Sequence, residues 1–422
     1  MYREMYQQNY FFNPRNESSY KFYTIVVIFF LISSGFPSFL FLSKYDFVLL
    51  PFLWFKLKQK GISIPINKVV VILIIIMFFV GFHILLGHFT IIGGLGFVLK
   101  IMVALFAAIL LGRKILPIFI NIMLFFAVTS LIIWGMVVLK PSFHAIFSDI
   151  ASKLPQLMSD DWINNTSNKG VSLYIYYLTP SIASFPYMNF LRNSGPFYEP
   201  GLFASYLNIA LVFSLCFGGR LLSTKNIILI LAILSTCSSA GYLSLMLVVM
   251  LSVFVQKNIF YKVIIILVVS YLFQPVMELD FMAEKIKNNY LEASFSSESR
   301  FGAMMYHWEK VQKSPIIGCA GNVSSITEMD IKMESRDRIL SPNGLSYLFL
   351  FWGIPLALYF YYLLYDGFRK LVGVNKKGVL IGLFVVILST AFSQTITLSL
   401  FFLTLASLSF TLRDKNYENS SY

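Results

Sequence analysis

The fold class is decided by residues 69–88, which read VVVILIIIMFFVGFHILLGH. This stretch contains no Asp, Glu, Lys or Arg, and most of its residues are aliphatic or aromatic. A helix of about 20 such residues matches the hydrocarbon core of a lipid bilayer in length. The stretch therefore predicts a helix that spans a membrane.

The rest of the chain extends this prediction. Of its 422 residues, 57% are hydrophobic and only 13% are charged, whereas soluble domains carry about 25% charged residues. We expect an all-α polytopic membrane protein, with one integral membrane domain over residues 1–422 and about twelve transmembrane helices. The twelve apolar segments lie at 22–42, 45–57, 69–88, 91–112, 115–139, 201–218, 226–238, 240–256, 262–277, 343–364, 378–393 and 396–412.

The basic residues indicate the orientation of the chain. They give a net charge of +13 and cluster between the apolar runs, at 56–68, 113–114, 220–225, 257–262 and 369–377. All of these clusters fall on one side when both termini are cytoplasmic, as the positive-inside rule requires. Such a distribution argues against nucleic-acid binding, which needs a basic face.

Two long segments, roughly 140–200 and 278–342, fall on the external side in this topology. Both combine aromatic residues with periodic apolar residues, and this composition argues against disorder. Long loops in compact proteins are usually functional when they are ordered. We therefore expect the two external loops to contain amphipathic helices and to carry the function.

The first candidate site closes the first loop, where residues 192–201 read RNSGPFYEPG. Two glycines and two prolines in ten residues predict a sharp turn back into the membrane. Arg192 and Glu199 flank this turn, and charges beside hydrocarbon are costly unless they are paired, hydrated or used. The planar guanidinium of Arg192 suits a phosphate group.

The second candidate site lies in the second loop, where the pattern predicts a helix over 298–313 with Pro315 beyond its end. Arg300 and His307 lie about 20° apart around this helix, on one flank of an apolar stripe. They are candidates for an anion ligand and a catalytic group. The stripe consists of Phe301, Met304, Met305, Trp308 and Val311.

Two isolated residues are further candidates. Asn343 follows Pro342 at the start of the tenth segment, where Ser341 is expected to cap a helix. Lys100 lies in the middle of the fourth segment and must face a cavity or a partner there, so a functional and a structural role are equally open. The three cysteines have no metal-site spacing.

Taken in order, these stretches resemble the O-antigen and capsule repeat-unit polymerases of the Wzy type, which are related to the O-antigen ligases. The resemblance covers roughly residues 180–365, and the rest of the chain matches only in hydropathy. It rests on Arg192, Gly195, Phe197, Glu199-Pro200-Gly201, Arg300, Ser314-Pro315-Ile316-Ile317-Gly318, Asn343 and Gly353.

The resemblance implies a metal-independent glycosyltransferase of lipopolysaccharide or polysaccharide biosynthesis, acting on the outer face of a bacterial inner membrane. Its substrates would be undecaprenyl-diphosphate-linked oligosaccharides, with the lipid diphosphate as leaving group. Arg192 and Arg300 would bind the diphosphate, and Glu199 or His307 would act as the base. Asn343 and Lys100 are additional candidates for substrate contacts. Membrane lipids and a chain-length regulator are the other expected partners.

Two alternatives stay open. An O-antigen ligase would share both arginines, but ligases of this broad family typically carry a His near the position of Asn343. A lipid-linked oligosaccharide flippase, or another transporter, would place cations along a path within the spans. In this chain only Lys100 lies deep within a predicted span.

Overall fold

A computed structural model describes residues 17–62, 64–155, 170–179, 182–184, 189–216, 220–255, 260, 263, 267, 300–319, 343–372 and 377–412. Within these residues the chain is all-α, apart from two short antiparallel hairpins. The helices are α1 Glu17–Gly35, α2 Leu49–Gln59, α3 Ile66–Leu85, α4 Ile91–Leu111, α5 Ile115–Leu139, α6 Ser142–Lys153, α7 Pro200–Cys216, α8 Thr224–Ser235, α9 Ser239–Val255, α10 Arg300–Lys313, α11 Gly344–Val372, α12 Lys377–Ser393 and α13 Leu400–Thr411. The strands are β1 Val171–Ser172, β2 Tyr177–Leu178, β3 Ile182–Ser184 and β4 Asn189–Leu191.

Described helices overlap eleven of the twelve predicted apolar segments, and 262–277 lies almost entirely outside the described residues. Two helical stretches in the described part of the chain, Ile91–Leu139 and Gly344–Leu371, are long and apolar enough to cross a membrane. Seven further apolar helices there are shorter, with 10–17 residues. The count of about twelve spans stays a prediction.

The chain divides into two compact units, and the first comprises residues 1–43, 114–287 and 376–390. Its central element is α7, which is buried on all sides. A helix that is apolar all round needs neighbours on every face, and α5, α8 and α9 surround it. Helix α1 packs against α5.

The second unit comprises residues 44–113, 288–375 and 391–422. It is built around α13, another helix with almost all residues buried, which lies against α4 and α11. Helices α2 and α3 pack against α4, and α10 packs against α11. The expectation of one integral domain over residues 1–422 stays a prediction.

Both predicted external loops contain a short helix, α6 in the first and α10 in the second. In the first loop, β1 pairs with β2 and β3 with β4. Tyr176 and Leu178 of the first hairpin pack against Val137 at the end of α5. Trp134 of α5 donates its Nε1–H to the carbonyl oxygen of Leu191 over 2.6 Å, so this loop is folded onto the helix that precedes it.

Helix α3 leaves an apolar face uncovered. Val71, Ile74 and Phe78 on this face are 56%, 55% and 76% exposed. These positions recur at helical spacing, so they form one continuous stripe. A stripe of this kind is unusual on a soluble protein.

Candidate active site

Arg192 is held by a neighbouring turn at the start of the segment that leads into α7. Its Nε–H donates to the carbonyl oxygen of Thr236 over 3.1 Å, and Thr236 lies between α8 and α9. The side chain of Arg192 is half-buried. Because a backbone carbonyl holds one edge of the guanidinium, the plane of the fork is set before any ligand binds.

Asn193 anchors the same segment from within the protein. It is fully buried, and its Nδ2 donates to the hydroxyls of Ser235 (2.8 Å) and Ser130 (3.2 Å). Its Oδ1 accepts the Gly195 N–H at 2.9 Å, and its own N–H donates to the Ser235 carbonyl at 3.0 Å. Through these four hydrogen bonds, the buried Asn193 holds α5, α8 and the Arg192 segment together.

The turn that supports Arg192 is strained at Cys237. This residue has φ +46°, which costs a residue other than glycine about 1–2 kcal/mol. The Tyr242 hydroxyl of α9 donates to the Leu234 carbonyl at 2.6 Å and braces the turn. Such strain persists only where surrounding contacts fix it, so the Thr236 carbonyl is a rigid support.

Glu199 lies at the other end of the Arg192 segment, directly before α7. Its carbonyl accepts the Phe203 N–H at 3.2 Å, which places Glu199 at the start of the helix. The side chain is half-buried. A carboxylate at this position interacts favourably with the helix N-terminus.

Helix α10 buries only part of the apolar stripe that the sequence predicts, since Val311 is buried and Met304 is half-buried. Met305 and Trp308 of the predicted apolar stripe are 41% and 49% exposed, whereas His307 and Lys310 are buried. The reason is that α10 packs against α11, and this contact covers the flank on which we predicted His307. Arg300 is the first residue of α10, in line with His307 by helical register.

His307 is bonded to the first turn of α11. Its Nδ1 lies 2.8 Å from the Ser346 hydroxyl, and burial lowers the pKa of the imidazole to about 4. His307 is therefore neutral at neutral pH. The N–H groups of Leu345 and Ser346 both donate to Asn343 Oδ1 at 3.1 Å. Asn343 thus caps α11, while the expected cap Ser341 lies outside the described residues.

The motif residues 315–318 fit into a break in α11. Gly353 has φ +73° inside this helix, and Gly318 has φ +67°. A Cβ on Gly318 would lie 2.5 Å from the backbone nitrogen of Gly353, and one on Gly353 would lie 2.3 Å from the Ile316 carbonyl oxygen. Both positions require the absence of a side chain, so two motifs distant in sequence form one packed unit.

The break in α11 is completed by hydrogen bonds from this loop. The Ile354 N–H donates to the Pro315 carbonyl at 2.7 Å, and the Leu350 carbonyl accepts the Cys319 N–H at 2.8 Å. In an uninterrupted helix, Ile354 and Leu350 would bond to each other. The loop therefore supplies both partners that the break removes.

Lys100 pairs with Asp46. Its Nζ lies 3.3 Å from Asp46 Oδ2, and the two side chains are 23% and 4% exposed. We predicted either a functional or a structural role for Lys100. The ion pair with Asp46 agrees with the structural role. A contact between Lys100 and substrate stays a prediction.

The predicted site residues divide between the two units: Arg192 and Glu199 lie in the first, and Arg300, His307, Asn343 and Lys100 in the second. Sequence reasoning did not assign a role to Asn193 or to the turn at Thr236. The available signal was the polar run at residues 235–239, which read STCSS between two apolar segments.

No protein-family model matches this chain, and no curated protein or solved structure is significantly similar to it.

Proposed function

We propose that the chain is an integral membrane protein whose apolar helices face lipid. The uncovered stripe on α3, with Phe78 76% exposed, supports this proposal. In water such an apolar face would need a partner protein to cover it, whereas in a membrane lipid covers it. In the predicted topology both termini are cytoplasmic, and α6 and α10 lie on the outer side of a bacterial inner membrane.

We propose further that the protein is a glycan polymerase that joins undecaprenyl-diphosphate-linked repeat units. The observation that carries this proposal is the anchoring of Arg192, whose guanidinium is fixed by the Thr236 carbonyl. A fixed guanidinium beside a membrane is suited to an anion that gains charge in the transition state, because it needs no reorganisation during the reaction. A departing lipid diphosphate is such an anion.

The reaction needs three functions from the chain. Arg192 and Arg300 would stabilise the leaving diphosphate. The external loops would hold the acceptor hydroxyl near the anomeric carbon, which lowers the entropic barrier. A base would accept the hydroxyl proton, with Glu199 and His307 as candidates. The proposal requires no metal, nucleotide sugar or other cofactor.

Among the alternatives, a ligase differs at Asn343. This residue caps α11 through two backbone N–H groups, and its Oδ1 cannot serve as a base. That role supports a polymerase over an enzyme that uses a histidine there. The pairing of Lys100 with Asp46 supports an enzyme over a transporter with cations along a path within the spans.

The test is the surface-glycan gel profile of a deletion strain that expresses the wild-type chain or Arg192→Ala. We expect the deletion strain to retain glycan of a single repeat unit, and only the wild-type chain to restore long glycan. Arg220→Ala is the matched control, since Arg220 is exposed and lies on the predicted inner side. Lipid-linked polymer accumulating outside would show a ligase, and single units retained on the inner leaflet would show a flippase. Normal glycan from Arg192→Ala would remove the proposed role of this residue.

A further inference from the structure

Helix α3 ends in a turn that brings two histidines together. Gly87 has φ +74°, the His88 N–H donates to the His83 carbonyl at 2.8 Å, and the Gly87 N–H donates to the Ile84 carbonyl at 3.0 Å. These two bonds define a Schellman motif, in which the residue after the glycine contacts the one five positions earlier. Apolar side chains usually make this contact. Here both residues are histidines.

The hydrogen bonds of this pair fix its protons. His83 Nε2 lies 3.0 Å from the Ile317 carbonyl oxygen, and His83 Nδ1 lies 2.8 Å from His88 Nδ1. A carbonyl oxygen only accepts, so Nε2 of His83 carries a hydrogen. Neutral His83 then accepts at Nδ1, so His88 donates its Nδ1–H. Neutral His88 is therefore left with a lone pair on Nε2.

The two rings differ in access. His83 is fully buried, and its ring centroid lies 4.3 Å from that of Phe79 and 6.1 Å from that of Phe89. His88 is half-buried. The inner histidine is thus fixed by aromatic packing and by a backbone carbonyl, and it orients the more accessible one.

The distances argue against a metal site. Two nitrogen ligands on one tetrahedral zinc ion lie about 3.3 Å apart, given bonds of about 2.0–2.1 Å. The separation of 2.8 Å between the two Nδ1 atoms is a hydrogen-bond distance instead. Moreover, among the residues that the structure describes there is no group of three His, Cys, Asp or Glu side chains that could hold a metal.

We propose that His83 and His88 form a proton-accepting dyad, in which His88 Nε2 is the base that deprotonates the acceptor sugar hydroxyl. This assignment rests on the proposed polymerase function and decides the choice of base left open there. Its location supports it: the turn belongs to the predicted outer side, and His83 bonds the motif loop at Ile317.

In the proposed step the hydroxyl O–H bond breaks and its proton moves to His88 Nε2. The hydroxyl oxygen forms the new bond to the anomeric carbon. The bond from that carbon to the lipid diphosphate breaks, and its electron pair leaves with the diphosphate. His83 is a positioning residue, because its Nδ1 accepts a hydrogen bond from the imidazolium that forms on His88.

The geometry is tested by nitrogen-15 NMR of the full-length protein with labelled histidine. The chain contains four histidines, so the ring signals are few enough to assign. We expect His88 in the Nδ1–H form in the wild type, and a shift to the Nε2–H form in His83→Phe, which removes the acceptor. Finding His88 as Nε2–H in the wild type would overturn the dyad.

The catalytic role is tested by the initial rate of chain extension in membranes that carry lipid-linked repeat units. We expect His88→Ala to lower the rate by about 100-fold or more, with partial rescue by added imidazole. His144→Ala is the matched control, since His144 is also half-buried, lies on α6 in the first predicted external loop, and should leave the rate unchanged.

The outcomes separate this assignment from the proposed function. A normal rate in His88→Ala would overturn the base assignment and leave the polymerase proposal intact. A wild-type chain that extends no glycan would overturn both. If His88→Ala does not accumulate in the membrane, His88→Gln replaces it, and a normal rate there again overturns the assignment.

Discussion

Gly318 and Gly353 face each other across a contact in which neither has room for a Cβ. We predict that Gly318→Ala or Gly353→Ala destabilises the protein by at least about 2 kcal/mol, because each residue has positive φ and would meet backbone atoms. Thermal unfolding measures this effect, with a thiol-reactive dye as reporter because the cysteines are buried.

Gly81→Ala is the matched control for these substitutions. Gly81 lies within α3, and no atom lies within 4 Å of the position that its Cβ would occupy. Alanine favours a helix interior by up to about 1 kcal/mol over glycine, so this variant should unfold at an equal or higher temperature. A wild-type melting temperature in Gly353→Ala would show that α11 is not broken at this residue.

His307 should make the stability of the protein depend on pH. Burial lowers its pKa to about 4, whereas a histidine in the unfolded chain takes up a proton below about pH 6.5. The unfolded state therefore binds more protons as the pH falls from about 6.5 towards about 4, and folding stability is lost over that range. We predict a loss of about 3 kcal/mol at pH 4 relative to pH 7.

This contribution is measured by comparing the wild type with His307→Asn, which does not titrate, in denaturant unfolding from pH 7 to pH 4. The wild type should lose more stability than the variant. Parallel pH curves for the two proteins would mean that His307 is accessible to solvent.

At the residue scale the sequence predicted candidate positions but not their contacts. Helical angles placed Arg300 in line with His307, and that relation depends on local geometry alone. The burial of His307 depends on α11, which begins 37 residues later, so no local pattern contains it. The pairing of His83 with His88 was encoded locally, by a glycine at position 87, because the Schellman motif is set by neighbouring residues.

Among the elements, α4 is tied to the short 3-10 helix Asp46–Val48 by the Lys100–Asp46 pair. We predict that Lys100→Met destabilises the protein by about 3 kcal/mol or more, because it leaves a buried carboxylate without this cation. The double variant Asp46→Asn, Lys100→Met should recover most of the loss. Thermal unfolding of the single and double variants forms a double-mutant cycle, which measures the interaction energy of the pair.

Lys153→Ala serves as the comparison for this cycle. Lys153 also forms an ion pair, with Asp149 at 2.6 Å, but both side chains are more than 60% exposed. Pairs of this kind contribute little, so Lys153→Ala should be close to neutral. A double variant no more stable than Lys100→Met alone would argue against the pair as the reason for the loss.

At the scale of elements, most helices could be predicted because a long apolar segment strongly indicates a helix. The segment at 69–88 corresponds to α3, Ile66–Leu85, and the shift of the ends reflects Pro65 and Gly87. The hairpins β1–β2 and β3–β4 were not predicted. Their strands have two or three residues, too few for an alternating pattern to be visible.

For the whole molecule, the predicted topology can be tested with introduced cysteines, because the three native ones are buried. We predict that Lys153→Cys reacts with a membrane-impermeant thiol reagent in intact cells, and that Lys58→Cys reacts only after the membrane is opened. Both lysines are exposed, so a difference reports sidedness rather than burial. Labelling of Lys58→Cys in intact cells would overturn the topology and the proposed outer site with it.

The break in α11 also has a consequence for how the chain assembles. Residues 315–319 leave the ribosome before residues 350–354, yet each supplies the hydrogen-bond partners that the other lacks. While the two are apart, the Leu350 carbonyl can accept the Ile354 N–H within the helix, although Pro355 already interrupts the helix there because it has no N–H to donate. We therefore expect α11 to reach its final shape only when residues 315–319 dock against it.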